Sequence, residues 1–398
     1  MKSYIVSTFL VFFLFSVCRI VFAQGVVVET IQLDGNYSMD CLTLGNDGIL
    51  YGTEGFDGNR IYMIQLDGTT NTFVTGLAGP IDIDFDNAGN LYVSTFNNLG
   101  LYKVTPQGVA TRFATVSDGP SGVVLNRSIG NIYVSHYGAG FPGNGNSIYV
   151  VDSTGQSNIF VQGNGLVAPV SLAIDENGNI YAPNIANAKL FKITPGGVMT
   201  LLCQLPAPGN LHPFHVGHLE YSHGYLYVTG NSGSPYVFRV DLDGNYEIFA
   251  GSGVVGHMDG SALTAQFSGP NGITASVTGD TLFISELTSP NTLRIIRGVT
   301  SGINMINSEI PEKFALFQNY PNPFNPSTKL KFEIPRASFV KLAVYDIAGK
   351  QTAQLVNQDL GPGQYEYTFD GSEFESGVYF YRLTTETFSE TKRMVLVK

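Results

Sequence analysis

Asp82–Thr95 reads DIDFDNAGNLYVST, and both of its halves alternate apolar and polar residues around a turn-forming DNAGN. Alternation at a period of two marks a strand with one face toward a core. The Asn and Gly between the halves supply the positive φ that a tight hairpin needs. The unit is therefore a β-hairpin, and it recurs: DCLTLGNDGILYGTE from Asp40, GVVLNRSIGNIYVSH from Gly122, SLAIDENGNIYAPN from Ser171, HLEYSHGYLYVTG from His218 and GITASVTGDTLFISE from Gly272. Prolines at 80, 120, 169, 213 and 270 precede five of the six, 40 to 57 residues apart. Each hairpin runs on into a third strand such as NRIYMIQLDG and a fourth such as TNTFVTGL. Four short strands per repeat make a propeller blade. The sixth unit stops after its third strand, NTLRIIRG, whereas VVVETIQL, Val26–Leu33, stands unused before blade one. Donating it to blade six closes the ring and hides two sheet edges. The expected fold is all-β, a six-bladed propeller over residues 24–302, with 24–36 as the closing strand of blade six.

Composition agrees. The 398 residues include 46 Gly and 21 Tyr and show little helical periodicity. Lys2, the apolar run Tyr4–Phe15 and the closing Val21, Phe22, Ala23 read as a secretory signal peptide over 1–23. A membrane anchor is disfavoured because Arg19 interrupts a run already too short to span. A lipoprotein signal at Cys18 lacks the small residue it needs just before the cysteine. The mature chain has no other long apolar stretch, so no transmembrane segment is expected in it. Between residue 24 and residue 308 there are 9 Lys+Arg against 21 Asp+Glu. Such a region repels a phosphate backbone, which excludes nucleic acid and favours cations or neutral ligands. Only Cys41 and Cys203 remain after cleavage, and their separation suggests buried small apolar residues rather than a staple.

The run Gly251–Ile296 carries G-x-x-D-G…F-x-x-P-x-G-I and resembles an NHL-type repeat. Six-bladed relatives of such chains include the gluconolactonase-like (SMP-30-like) enzymes and the streptogramin lyases. The first strand's start and the second strand's end share one rim of a propeller, so chemistry is expected there. Three positions after each second-strand aromatic stand Glu54, Thr95, His136, Asn184, Gly230 and Glu286. Two carboxylates, an imidazole and an amide about one axis suit a divalent cation such as calcium, or an acid and base pair. The gluconolactonase resemblance implies Glu54 and Asn184 as metal ligands, with Glu286 substituting in charge for a missing aspartate. The lyase resemblance implies a histidine where Asn271 stands, with His215 and His218 nearby, and leaves His136 and Glu286 as the catalytic candidates. The competing reading is that these polar strand ends cap backbone groups of the next turn. A calcium loop at Asp82, Asp84 and Asp86 is set aside because they share one strand face without ligand spacing. Zinc at His212, His215, His218 and His223 is set aside because their spacing splits them between faces.

From residue 310 the character changes. FQNYPNPFNPSTKLKFEIP, Phe317–Pro335, is followed by the alternating VKLAVYDI, YEYTFD, GVYFYRL and KRMVLVK. These strands predict a small Ig-like β-sandwich over 315–398, after a linker at 303–314. The segment closely resembles the C-terminal sorting domain of type IX secretion substrates from Bacteroidetes. The resemblance rests on Asn319, Tyr320, Pro321, Asn322, Pro323, Phe324, Asn325 and Pro326, on Gly377 and Tyr379, and on the closing Lys392 to Lys398. It implies the type IX secretion machinery as partner, and a protein secreted or attached to the outer cell surface. The propeller is then cargo, read as a binding module for a small molecule, peptide or glycan, with a metal-dependent lactonase-like or lyase-like enzyme as the alternative.

Overall fold

The computed structural model describes residues 26–398 apart from 36, 117–118, 141–142, 207–213, 232–233, 278, 289–290, 300–302, 308–309 and 372–373. The signal peptide and His212 lie outside the described residues. Strands dominate, arranged as six antiparallel sheets followed by two more. The hairpin quoted above forms the inner half of blade two: Pro80–Phe85 pairs with Leu91–Thr95, then Gly100–Val104 and Ala110–Thr115 follow outward. Blades one, three, four and five repeat this meander. In each of these five blades the register shifts once between the third and fourth strands, as at Leu101/Tyr102 and Leu190/Phe191. One bulge per repeat adds the same extra twist to every blade.

The innermost strands adjoin in the order of the chain, and blade six returns to blade one. In blade six the fourth place from the axis goes to a strand from the start of the chain. Val27–Gln32 fills that place, pairing with Thr292–Arg297 on one side and Gly260–Ser261 on the other. The first described strand thus joins the last blade, and the ring has no open seam. Apolar clusters fill the spaces between neighbouring blades; Tyr51, Ile83 and Val93 join blades one and two, and Leu190, Leu226 and Phe238 join blades four and five.

Within the stretch 303–314, expected as a linker, Ile303–Asn307 forms a strand. Ile303–Asn307 pairs with Gly363–Asp370 as the outer strand of a sheet that continues through Ser327–Ile334 to Ala315–Leu316. Its position is set by a free sheet edge, which a short strand can cover whatever its composition. The second sheet comprises Gln351–Leu360, Ser338–Tyr345, Gly377–Thr384 and Ser389–Leu396. Leu330, Phe332 and Tyr367 of the first sheet meet Leu342, Val344, Tyr381 and Met394 of the second in one core. Among the described residues no helix is long and apolar enough to cross a membrane.

Candidate functional site

Alternate residues of a strand face one side, so each innermost blade strand presents every second side chain to the propeller axis. Aligning the strands by their pairing gives one layer made of Cys41, Asp82, Gly122, Ser171, His218 and Gly272. Two residues further on comes Thr43, Asp84, Val124, Ala173, Glu220 and Thr274. All but the two glycines line a central cavity of about 820 Å³. The glycines are needed for the close approach of neighbouring blades: a Cβ on Gly122 would meet the Ser171 backbone at 2.6 Å, and one on Gly272 the Leu42 nitrogen at 2.7 Å. With three small residues in the layer, the ring narrows enough for the large ones to touch.

They do touch. The Cys41 thiol donates to Asp82 Oδ1 at 2.7 Å. His218 comes from blade five, three blades from Asp82 in either direction around the ring, yet its Nδ1 is 3.7 Å from Asp82 Oδ1. The imidazole therefore spans the axis. Asp82 Oδ2 accepts the Val123 N–H at 2.9 Å, fixing the carboxylate to blade three as well. Behind His218, Nε2 lies 3.9 Å from Asp40 Oδ1, and Asp40 is held by the Asn271 amide. Toward the mouth, Arg127 pairs with Asp84 and donates to the Phe85 carbonyl at 2.9 Å.

Burial sets the electrostatics. It pushes the Asp82 carboxyl up to about 7 and the Asp40 carboxyl up to about 6, against the lowering effect of their hydrogen bonds. Glu220 rises to about 8, by burial and then by the nearby Asp84, although part of its surface faces the cavity itself. Burial drives His218 down to about 4 and the Cys41 thiol well above its usual value. These carboxyls thus hold their protons to higher pH than exposed ones do, beside a thiol and an imidazole that are neutral at neutral pH. The sign of the resulting pH dependence is definite. Raised carboxyls bind protons in the folded state that the unfolded chain has already lost, so stability present at low pH is lost as pH rises through their folded values. His218 acts oppositely, but only between about 4 and its ordinary 6.5. From pH 6.5 to 8 the carboxyls act alone. In chelator-treated protein, unfolding free energy is expected to fall across that window, by up to about 1.4 kcal/mol per pH unit for each proton retained. Urea titrations at pH 6.5, 7.25 and 8 measure it; a flat or rising profile contradicts the assignment.

The residues expected at the rim have other employment. Glu54 accepts the Asn59 N–H and the Tyr62 hydroxyl, both at 2.8 Å. Thr95 donates to the Gly100 carbonyl at 2.8 Å. His136 Nδ1 is 3.1 Å from the Ser147 hydroxyl. Asn184 accepts the Val167 N–H at 3.0 Å and donates to Gly165 O at 2.8 Å. Glu286 accepts the Ser268 N–H at 2.6 Å and the Thr292 hydroxyl at 3.1 Å, 3.4 Å from the Arg294 guanidinium. Asn271 donates to Asp40 O and accepts from Asn231, both at 2.7 Å. The His215 N–H donates to Ile185 O at 2.9 Å. These polar ends cap turns and loops of their own or the adjoining blade, and of all the expected rim residues only His218 lines the cavity. The physical reason is the second strand's position: it lies one strand out from the axis, and its last side chain is taken up by neighbouring turns and loops. The two cysteines among the described residues form no disulfide, as expected: Cys41 is buried on the channel side of its strand and Cys203 sits half-buried in an outer strand.

In the C-terminal unit the proline run stitches the two sheets together. Pro321, Pro323 and Pro326 have no N–H to donate, and the residues between them make the bonds. Asn322 Oδ1 accepts the Val395 N–H at 3.0 Å, the Phe324 N–H donates to Val395 O at 2.9 Å, and the Val397 N–H returns to Phe324 O at 3.0 Å. Asn319 donates to Pro321 O and to the Thr328 hydroxyl, both at 3.0 Å, while its own N–H donates to the Tyr381 hydroxyl at 2.8 Å. Phe324 is buried against Phe369, whereas Tyr320 is 80% exposed and Asn325 is exposed beside it. Gly377 opens the strand that carries Tyr379, whose hydroxyl donates to Glu375 O at 2.9 Å. Lys392 pairs with Glu390 at 2.7 Å, and the Lys398 N–H donates to Ser376 Oγ at 3.0 Å. Residues 318–398 match the family model of the secretion system C-terminal sorting domain. The chain carries such a sorting domain at its C-terminus.

The propeller finds its likeness in structure. An auxiliary nutrient binding protein from Bacteroides thetaiotaomicron superposes with a TM-score of 0.55 at 15% identity, over 68% of this chain and 76% of that one. A gluconolactonase from Xanthomonas campestris gives 0.51 at 15% identity, over 68% and 89%. A catalytically inactive virginiamycin B lyase from Staphylococcus aureus gives 0.49 at 15%, over 68% and 98%. The first two likenesses show the fold. No curated protein matches the chain.

Proposed function

We propose that the protein is an exported binding protein that takes a small polar ligand into the central channel of its propeller. The observation that carries this reading is the 820 Å³ cavity lined by Asp82, Asp84, Glu220 and His218, four titratable side chains turned to the propeller axis. Its volume suits a small molecule. Its carboxyl-rich wall, with Arg127 as the cation beside Asp84, suits a cationic or hydrogen-bond-donating neutral ligand. The sorting domain supports delivery through the type IX machinery to the surface or the medium, with the N-terminal leader making the first crossing. The alternative was an enzyme whose Glu54, Asn184 and Glu286 hold a cation while His136 acts as base. Those carboxylates and that amide already satisfy backbone and side-chain donors, which favours the channel over the rim.

A thermal-shift and calorimetric screen of amines, amino acids and small saccharides against the mature protein tests this. Ligands found are expected to lose about tenfold or more in affinity on Asp84→Asn, the loss typical of a charged contact removed, and severalfold on Glu220→Gln, whose carboxyl is kept protonated at neutral pH by burial and contributes a hydrogen bond. Glu54→Gln should leave them unchanged. Ligands that bind both channel variants as tightly as wild type would refute channel binding.

A further inference from the structure

We propose that Cys41, Asp82 and His218 bind one divalent transition-metal ion, zinc by ligand preference, with a coordination position left open toward the channel. Their candidate ligand atoms lie within 4.8 Å of one another, and all three residues are buried. Tetrahedral zinc with bonds of about 2.0–2.3 Å spaces its ligand atoms roughly 3.3–3.6 Å apart. The His218 Nδ1 to Asp82 Oδ1 distance of 3.7 Å is within a few tenths of an ångström of that spacing. The Cys41 thiol donates to the Asp82 carboxylate at 2.7 Å, closer than two zinc ligand atoms stand. The thiol proton leaves when the thiolate binds metal, and the two atoms then part by less than about 1 Å. One sulfur, one nitrogen and one oxygen suit zinc, whereas calcium and magnesium want oxygen throughout.

A second observation points the same way. His218 Nε2 is buried and makes no hydrogen bond among the described residues. Its neighbour at 3.9 Å is the carboxylate of Asp40. With Nδ1 on a metal, a small ring rotation lets Nε2–H donate to Asp40, the carboxylate–imidazole arrangement that orients metal-bound histidines. Asn271 holds Asp40 in place through two contacts, to its carbonyl and its carboxylate. Three protein ligands with a fourth position facing a cavity is the form of an open rather than a closed zinc site. This placement rests on the channel being the functional part of the propeller, and it uses none of Glu54, Asn184 or Glu286.

Chelator-stripped, full-length mature protein titrated with Co²⁺ is the direct test. The expected result is one ion per chain with a thiolate-to-cobalt charge-transfer band and the visible bands of a four-coordinate ion. The charge-transfer band should vanish in Cys41→Ser and persist in Cys203→Ser. Asp40→Asn, a positioning change, should weaken zinc affinity about 10–100-fold while keeping the band. A wild-type spectrum without a thiolate band, or a band that survives Cys41→Ser, overturns the site. Metal bound without any organic ligand in the screen leaves this site standing and removes channel-ligand binding; ligands bound by a protein that takes up no metal do the reverse.

Discussion

Replacing Arg294 with methionine is expected to destabilise the propeller by about 3–5 kcal/mol, the cost of removing one partner from a buried ion pair. Arg294 is fully buried on Thr292–Arg297, beside the closing strand, where it pairs in register with Thr30. Its guanidinium reaches Glu286 Oε1 at 3.4 Å and Asp259 Oδ1 at 3.1 Å, donates to the Gln266 and Met258 carbonyls, and lies 4.9 Å from the Phe267 ring centre. Asp259 in turn accepts the Thr30 hydroxyl at 2.7 Å and its N–H at 3.1 Å. One cation thus holds together the strand end, the preceding loop and, through Asp259, the strand that closes the ring. Methionine fills much of the volume but leaves Glu286, itself buried, without its guanidinium and with only the His257 imidazole at 3.5 Å as a basic neighbour. Glu286→Gln removes less, since Arg294 keeps Asp259 and two carbonyls. The double variant should recover part of the Arg294→Met loss, with a coupling of about 0.5–3 kcal/mol. Denaturant unfolding of the four proteins measures it. Additive effects, or a neutral Arg294→Met, would mean that the pair contributes nothing. The same experiment separates Glu286 as a structural acid from Glu286 as a metal ligand, because its loss would be felt without any metal present.

The NHL-like run was legible in sequence for a reason this network supplies: Asp259 and Phe267 are two of its pattern positions, and both serve Arg294. The blades were legible because each inner hairpin carries its own alternation and its own turn. Closure was legible because a sheet with three strands sat opposite a strand with no sheet. Of the rim residues the sequence singles out, only His218 lines the cavity, and the cause is geometric. Residues near the end of a second strand and residues along a first strand both approach the same rim, but only the first strand adjoins the axis. Asp82 and Asp84 were visible as two carboxyls on one strand face; stacking the six first strands in register would have set Cys41 and His218 in their layer. That His218 then reaches across to Asp82 depends on Gly122, Ser171 and Gly272 being small, which no local pattern expresses. In the C-terminal unit, Gln351–Leu360 was missed because QTAQLVNQDL alternates poorly, and Ile303–Asn307 because five residues before a proline-rich run look like a spacer.

That last strand bears on export. Deleting residues 303–398 is expected to abolish appearance of the protein in the medium and on the cell surface, with the propeller held in the periplasm, because the sorting domain is the address. The matched family segment begins at residue 318, yet the sheet it belongs to is wider: Ile303–Asn307 covers one edge of Gly363–Asp370, and Ala315–Leu316 covers the outer edge of Ser327–Ile334. A reporter behind a signal peptide and fused to 318–398 exposes both edges, which invites pairing with other chains. Fused to 303–398 it exposes neither. The longer fusion should therefore reach the medium in clearly greater yield, and the shorter one should accumulate in the periplasm or aggregate. Cell fractionation with immunoblotting separates the outcomes. Equal export of both fusions would show that 303–316 serves the sheet without serving delivery, and normal secretion of the deletion variant would remove the sorting domain's role altogether. Within the address, Phe324→Ala should act like the shorter fusion, since removing a buried phenylalanine costs about 3–5 kcal/mol in a domain of this size. Tyr320→Ala offers the contrast: its side chain is 80% exposed, so an export defect with unchanged domain stability would place it in contact with the secretion machinery.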